Sequence, residues 1–93
     1  LEDIDSAAKA LFVQRVFRNI PQEEIGEYAG LVKTLYLMDG SISRAADEHF
    51  IHKNTLQYKL NKLTRITGRD PRSYKCVPLY SLAILFMREQ QEE

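Results

Sequence analysis

The sequence predicts an all-α fold, a small helical bundle that contains a helix-turn-helix motif. Its 93 residues are enough for one modest hydrophobic core and too few for two. Glycine and proline are scarce, with 4 and 3 residues, and no long stretch reads as a strand. Apolar residues instead recur at helical spacing in five segments that are separated by turn and stop signals.

The first two segments predict helices that are joined near Pro21. The first runs from about Asp3 to Arg18. The second begins after Pro21, where a proline and two glutamates suit a first helical turn, and it ends at the "DG" of Asp39 and Gly40. The apolar positions expected to face the core are Ile4, Ala8, Leu11 and Phe12 in the first helix and Ile25, Tyr28, Ala29, Val32, Leu35 and Tyr36 in the second.

Three further helices are expected in the second half of the chain. A short third helix is capped by Ser43 and ends near His49. The fourth begins near His52 and ends at Gly68, a suitable C-terminal glycine. The fifth runs from about Pro78 to Gln90. Its stripe consists of Leu79, Leu82, Ala83 and Phe86, and Tyr80, Ile84, Leu85 and Met87 widen the apolar surface beyond that stripe.

The chain is interpreted as one domain with a leading segment. Residues 1–20 are expected to form a helical lead-in, or a linker from an upstream domain, and residues 21–93 the helix-turn-helix domain. The first residue is Leu1 rather than methionine, which predicts a piece of a larger protein. The single cysteine, Cys76, excludes an internal disulfide, and the longest apolar run is far shorter than a bilayer span. We therefore expect no membrane association and a cytoplasmic location.

A formal net charge of zero conceals a basic segment. Residues 52–75 contain 7 lysines and arginines against Asp70 alone, whereas residues 1–51 contain 5 against 9 acidic residues. Such local concentrations of positive charge, rather than the total, provide an electrostatic footprint for phosphate groups.

The fourth helix carries two different faces. Leu56, Leu60 and Leu63 lie on one side and predict a buried stripe. The opposite side is built from amide, phenol and cationic groups without a carboxylate, and such groups suit the base edges and phosphates of a DNA major groove. The predicted base-facing residues are Asn54, Gln57, Tyr58 and Asn61, and the predicted phosphate contacts are His52, Lys53, Thr55, Lys59, Lys62, Arg65 and Arg69.

The preceding segment strengthens the interpretation of this face as a DNA-reading surface. Ala45 and Ala46 are small enough to let a second helix approach closely, and a short turn through Ile51 follows them. This is the arrangement in which the second helix of the pair enters the groove. Double-stranded DNA is thus the expected partner, and a homodimer would require half-sites about 10 base pairs apart or a multiple of that.

Several alternatives remain open at this point. His52 caps the helix or touches a phosphate, Thr55 bonds locally or contacts DNA, and the Tyr58 ring packs on a neighbouring helix or faces outward. A second function, a helical protein-interaction or dimerisation module, would use the wide apolar surface of the last helix. No spacing of histidine and cysteine predicts a metal site, and no nucleophile or phosphate-loop motif predicts an enzyme or a cofactor.

The segment "GSISRAADEHFIHKNTLQYKLNKLTRITGRDPRSY" resembles the C-terminal helix-turn-helix domain of PucR/CdaR-type bacterial regulators, whose hallmark is close to "LFIHRNTLxYRLxxIxxxTGLD". It is similar, more weakly, to the Fis-like domain. The resemblance implies an all-α DNA-binding domain of a longer transcription factor, with any effector ligand bound upstream. Lysines at 53 and 59 stand where the family commonly has arginine, and His49 and Arg69 stand where it has leucine. The matching residues are Phe50, Ile51, His52, Asn54, Thr55, Leu56, Tyr58, Leu60, Thr67, Gly68 and Asp70.

Overall fold

The computed structural model describes residues 5–92, with side chains up to residue 90. Within that range the chain forms five helices and no strand, which confirms the all-α prediction. None of these helices combines the length and the apolar character that crossing a bilayer requires. The helices are α1 (Ser6–Val16), α2 (Gln22–Leu37), α3 (Ile42–Glu48), α4 (Lys53–Thr67) and α5 (Val77–Glu92).

Helix α2 lies at the centre of the domain and contacts α3, α4 and α5. Its predicted apolar stripe is confirmed, because all six of its residues are buried or packed against the core. The helix ends where the sequence indicates. Asp39 and Gly40 both have left-handed backbone conformations, with φ of 55° and 81°, and the Gly40 N–H donates to the carbonyl of Leu35 at 2.8 Å.

Helix α1 packs along α5, but with a different face from the predicted one. Ala8 is exposed and Leu11 is 48% exposed, so the predicted stripe is wrong at those two positions, and Ile4 lies outside the described residues. The buried residues are Val13, Val16, Phe17 and Ile20. Helix α1 is also shorter than predicted, since Asp5 caps its start through a 2.8 Å bond from the Ala8 N–H and Phe17 caps its end.

Edge-on aromatic contacts hold α1 against α5. The Phe12 and Phe86 rings lie 5.6 Å apart, and the Phe17 and Tyr80 rings 5.5 Å apart. Tyr80 was expected on the outer apolar surface, and this expectation is wrong, because the side chain is fully buried. Its hydroxyl donates to the carbonyl of Arg69 at 2.8 Å and lies 3.2 Å from the Thr67 hydroxyl. Burial raises the pKa of Tyr80, so the phenol stays protonated and keeps this bond.

The N-cap of α3 lies two residues earlier than the predicted cap, Ser43. The Ser41 hydroxyl accepts from the Arg44 N–H at 3.2 Å, so Ser41 is the N-cap and Ile42 the first helical residue. Ser43 lies within the helix and is exposed. The cap lies at Ser41 because the left-handed residues Asp39 and Gly40 end α2 and the backbone is already extended at Ser41.

Candidate nucleic-acid interface

Helices α3 and α4 form the close pair that the two alanines predict. Ala45 and Ala46 are both buried, and α4 packs directly on α3. The connection of residues 49–52 is held at both ends. The Ile51 N–H donates to the carbonyl of Ala46 at 3.0 Å, and the His49 ring nitrogen Nε2 lies 2.8 Å from the Thr34 hydroxyl on α2. The second helix of the pair is therefore presented at a defined angle to the rest of the domain.

Phe50 is the unusual residue of this connection. Its φ is 57°, in the left-handed region that bulky side chains rarely adopt, and its side chain is 95% exposed. An exposed aromatic ring in a strained backbone conformation contributes little to the core. It lies three residues before Lys53, the first residue of α4.

Phe50→Asn is expected to raise the free energy of unfolding by about 0.5–1 kcal/mol, because asparagine tolerates the left-handed conformation better. Urea denaturation measures the change. Leu37→Asn is the matched control, since Leu37 is also a large exposed apolar residue but lies in regular helix, where asparagine brings no gain. A loss of stability in Phe50→Asn would mean that the ring stabilises the turn after all.

The N-terminus of α4 is capped by His52. Its ring nitrogen Nδ1 accepts from the Asn54 N–H at 2.9 Å, a bond that requires Nδ1 to carry no proton. The other ring nitrogen, Nε2, then carries the proton and can donate outward from this exposed residue. The two expectations for His52, a cap and a phosphate contact, are therefore compatible within one tautomer. At the other end Gly68 has φ of 78°, and its N–H donates to the Thr64 carbonyl at 2.8 Å.

The two faces of α4 lie as the helical wheel predicts. Leu56, Leu60 and Leu63 are completely buried. The Tyr58 side chain is 65% exposed, so its ring faces outward and does not pack on a neighbouring helix. The other exposed residues of the outward face are Asn54, Gln57, Asn61 and Arg65.

The seven residues that are predicted to contact phosphates differ in their exposure and in their present hydrogen-bond partners. His52, Lys53, Thr55 and Arg65 are exposed, and Lys62 is half-buried. The Lys59 ammonium instead pairs with the Glu27 carboxylate of α2 at 3.0 Å, and this hydrogen bond raises the pKa of Lys59. The Arg69 guanidinium donates to the carbonyl of Arg15 in the last turn of α1 at 3.3 Å. Each of these side chains therefore already uses one of its N–H donors on a neighbouring helix.

Arg72 joins the outward face although it belongs to the connection between α4 and α5. Its Nη2 donates to Asn61 Oδ1 at 2.8 Å and its Nη1 lies 3.4 Å from Gln57 Oε1. From the sequence, Arg72 is one of the seven basic residues of segment 52–75, and its contact with Gln57 and Asn61 is not predicted. The available signal was the "RDPR" stretch, in which an aspartate two residues before an arginine and next to a proline favours a fixed turn.

The described part of the chain offers little other chemistry. No group of three or more histidine, cysteine, aspartate or glutamate side chains within it is placed to hold a metal ion. Cys76 is half-buried just before α5. The face of α4 that lacks carboxylates, together with the adjacent α3–α4 turn, is therefore the candidate functional surface of the described residues.

Comparisons with known proteins identify the same region. Residues 29–85, more than half of the chain, match the PucR C-terminal helix-turn-helix domain. The chain is 31% identical over 88 residues to the uncharacterized protein YsfB of Bacillus subtilis, covering 94% of this chain and 23% of YsfB. It is 46% identical over 44 residues to the uncharacterized protein Rv2242 of Mycobacterium tuberculosis, covering 44% of this chain and 11% of Rv2242.

The chain thus spans less than a quarter of the length of these curated relatives. No solved structure matches it significantly. The family match covers α3, the turn, α4 and most of α5, which are the elements that build and support the outward face. The chain belongs to the PucR C-terminal helix-turn-helix domain family.

Proposed function

We propose that this chain is the sequence-specific DNA-binding domain of a bacterial transcriptional regulator, with α4 as the recognition helix in the major groove. The observation that carries the proposal is the outward face of α4, which is exposed, contains amide, phenol and cationic groups and has no carboxylate. Its helix partner α3 packs behind it through two buried alanines, in the arrangement that presents a second helix to a groove.

Contacts to bases and to phosphates are expected from different residues of this face. Asn54, Gln57, Tyr58 and Asn61 are proposed to meet base edges, because amides can match the donor and acceptor pattern of a base pair. Lys53, Thr55, Lys62 and Arg65, with the outward Nε2 of His52, are proposed to meet phosphates. Lys59 and Arg69 are proposed to join them only after their present partners, Glu27 and the Arg15 carbonyl, have been released.

The regulatory context is also a proposal. Since the chain covers less than a quarter of the curated relatives it matches, we infer that it acts as one part of a longer cytoplasmic regulator. An effector ligand would be bound upstream. A homodimer of such a regulator would read two half-sites separated by about 10 base pairs or a multiple of that.

The second candidate function, a protein-interaction or dimerisation module, relies on the surface of α5. That surface is smaller than the sequence predicts, because Tyr80 is buried in the domain's own core together with the stripe residues Ala83 and Phe86. Leu85, at 38% exposed, remains available on it. Sedimentation of the free chain distinguishes this function: self-association that Leu85→Lys abolishes would favour it, whereas a monomer would not.

A random-duplex selection tests the proposed function. The chain is fused to a dimerising coiled coil, so that weak binding by a monomer is not mistaken for a lack of binding. Enrichment of a defined sequence motif is expected, and its sequence is the operator half-site. Binding that is salt-sensitive but enriches no motif would contradict sequence-specific recognition and leave only a basic surface.

Lys62→Ala is expected to weaken binding to all duplexes alike and to reduce the slope of log affinity against log salt by about one unit. Fluorescence anisotropy at several salt concentrations measures this slope. Lys59→Ala is the matched control on the same helix, because the Lys59 ammonium pairs with Glu27 and should change the slope less. Equal slopes for the two variants would show that Lys59 exchanges its carboxylate for a phosphate on binding.

A further inference from the structure

The guanidinium of Arg72 reaches across two of the residues that are proposed to read bases. Gln57 and Asn61 are one helical turn apart and lie on the same face of α4. Arg72 lies beyond the end of that helix, yet its Nη2 is 2.8 Å from Asn61 Oδ1 and its Nη1 is 3.4 Å from Gln57 Oε1. One cationic group therefore contacts both amides at once.

The position of this guanidinium is fixed by hydrogen bonds between Arg72 and the Asp70 carboxylate. The Asp70 carboxylate oxygen Oδ1 accepts from Arg72 Nε at 2.8 Å and from the Arg72 backbone N–H at 2.9 Å. Between them Pro71 is fully buried, and its carbonyl accepts from the Tyr36 hydroxyl on α2 at 2.7 Å. With Nε held by Asp70, the two terminal nitrogens are directed towards α4.

Burial alone would raise the pKa of Asp70, but the hydrogen bonds from Arg72 outweigh it and hold that pKa below its ordinary value. The carboxylate is therefore ionised throughout the neutral range. Asp70 therefore remains an acceptor for Arg72 across this range.

The chemistry of the guanidinium determines which way the amides point. Arginine has five N–H donors and no acceptor, so the atom of each amide that faces it must be the carbonyl oxygen. The NH₂ groups of Gln57 and Asn61 then point away from Arg72. A bidentate contact with adenine needs the amide oxygen and the NH₂ group on the base edge together, since adenine offers one acceptor and one donor there.

We propose that Arg72 is a specificity-determining positioning residue, which holds the amide oxygens of Gln57 and Asn61 and leaves their NH₂ donors for the bases. This inference rests on the proposed DNA-binding function. A surface that offers donors favours base edges that offer acceptors, and guanine presents two in the major groove, N7 and O6. The amides that would otherwise suit adenine thus read guanine.

The test compares the motifs that random-duplex selection enriches with the wild-type chain and with Arg72→Met, both fused to the coiled coil. Methionine keeps an unbranched apolar stem but removes every side-chain donor. The backbone N–H of residue 72 still bonds to Asp70, and thermal melting followed by circular dichroism verifies that the variant folds. Arg18→Met, which removes an exposed arginine far along the chain from α4, controls for the lost charge.

Guanine is expected at one or two positions of the wild-type motif, and the preference for guanine over adenine there should shift by about tenfold towards adenine in Arg72→Met. The rest of the motif and the Arg18→Met motif should be unchanged. Gln57→Ala or Asn61→Ala in the wild-type background should abolish the guanine preference at the same positions, because the amides rather than Arg72 make the contact.

Other outcomes overturn the inference in distinguishable ways. An unchanged motif in Arg72→Met, or adenine at these positions with the wild-type chain, removes the positioning role and leaves the DNA-binding function standing. Loss of the guanine preference without a gain for adenine means that Arg72 reads the base itself. A wild-type chain that enriches no motif at all contradicts the proposed function, and this inference with it.

Discussion

Asn54→Ala is expected to weaken binding to the selected operator by about 1–3 kcal/mol, while binding to unrelated duplexes stays unchanged. Asn54 lies in the first turn of α4, is exposed and belongs to the outward face. The first turn of a recognition helix is the part that comes nearest to the base edges. Truncation of its amide would therefore remove the proposed base contact without removing positive charge.

The structure allows this variant to be interpreted without a folding artefact. The Asn54 backbone N–H donates to His52 Nδ1 at 2.9 Å, and alanine keeps that bond. Alanine also has a higher helix propensity than asparagine. The melting temperature of Asn54→Ala should accordingly equal or exceed that of the wild-type chain, so that a weaker operator complex reports on recognition alone.

Two matched variants complete the measurement. Gln14→Ala truncates an exposed amide on α1, away from the outward face, and should leave the operator affinity unchanged. Lys62→Ala should weaken operator and random duplexes by the same factor. If Asn54→Ala also weakened every duplex equally, Asn54 would be a phosphate contact, and the division of α4 into base-reading and phosphate-binding residues would be wrong.

The accuracy of the α4 prediction has a physical reason. Its bounds follow from two independent signals, the leucine spacing that marks the buried stripe and the glycine that ends the helix in a left-handed conformation. Leucines at 56, 60 and 63 lie on one side only, so no second orientation of this helix would bury as much apolar surface. Local sequence was therefore sufficient to define this element and its exposed face.

Helix α1 shows the opposite case. Its apolar residues lie on more than one side, so spacing alone could not choose between the face of Leu11 and the face of Val13 and Val16. Packing against α5 decides which face is buried, because the Phe12 ring contacts the Phe86 ring of α5 edge-on. The burial of Tyr80 was not predicted for the same reason, because α5 is apolar almost all round. The buried Tyr80 hydroxyl depends on Thr67 and the Arg69 carbonyl at the end of α4.

The direction of long side chains at the candidate site also depends on distant residues. The wheel places Lys59 at the edge of the core, and Glu27, 32 residues earlier, draws its ammonium towards α2. Arg72 reaches Asn61 only because the connection after α4 turns back, with Pro71 held by Tyr36. A helical wheel gives the exposed face of a helix, whereas the path of a connection is decided by tertiary contacts.

Leu60→Ala is expected to lower the free energy of unfolding by about 2–5 kcal/mol, the largest effect among these variants. Leu60 is completely buried at the middle of α4, where truncation leaves a cavity that the surrounding helices can fill only in part. A domain of this size has a total stability of about 5–14 kcal/mol, so the melting temperature should fall by about 10 °C or more.

Leu37→Ala provides the control, because Leu37 is a leucine of the same size in a helix but is largely exposed on α2. Its stability should remain within about 0.5 kcal/mol of the wild-type value. Operator binding by the residual folded fraction of Leu60→Ala should be retained, since Leu60 belongs to the buried side of α4 whereas Asn54 and Asn61 are exposed. A small effect of Leu60→Ala would mean that the core around Leu60 is packed less tightly than the complete burial of Leu60 indicates. The proposal that α4 presents a fixed outward face to base edges would then lose support.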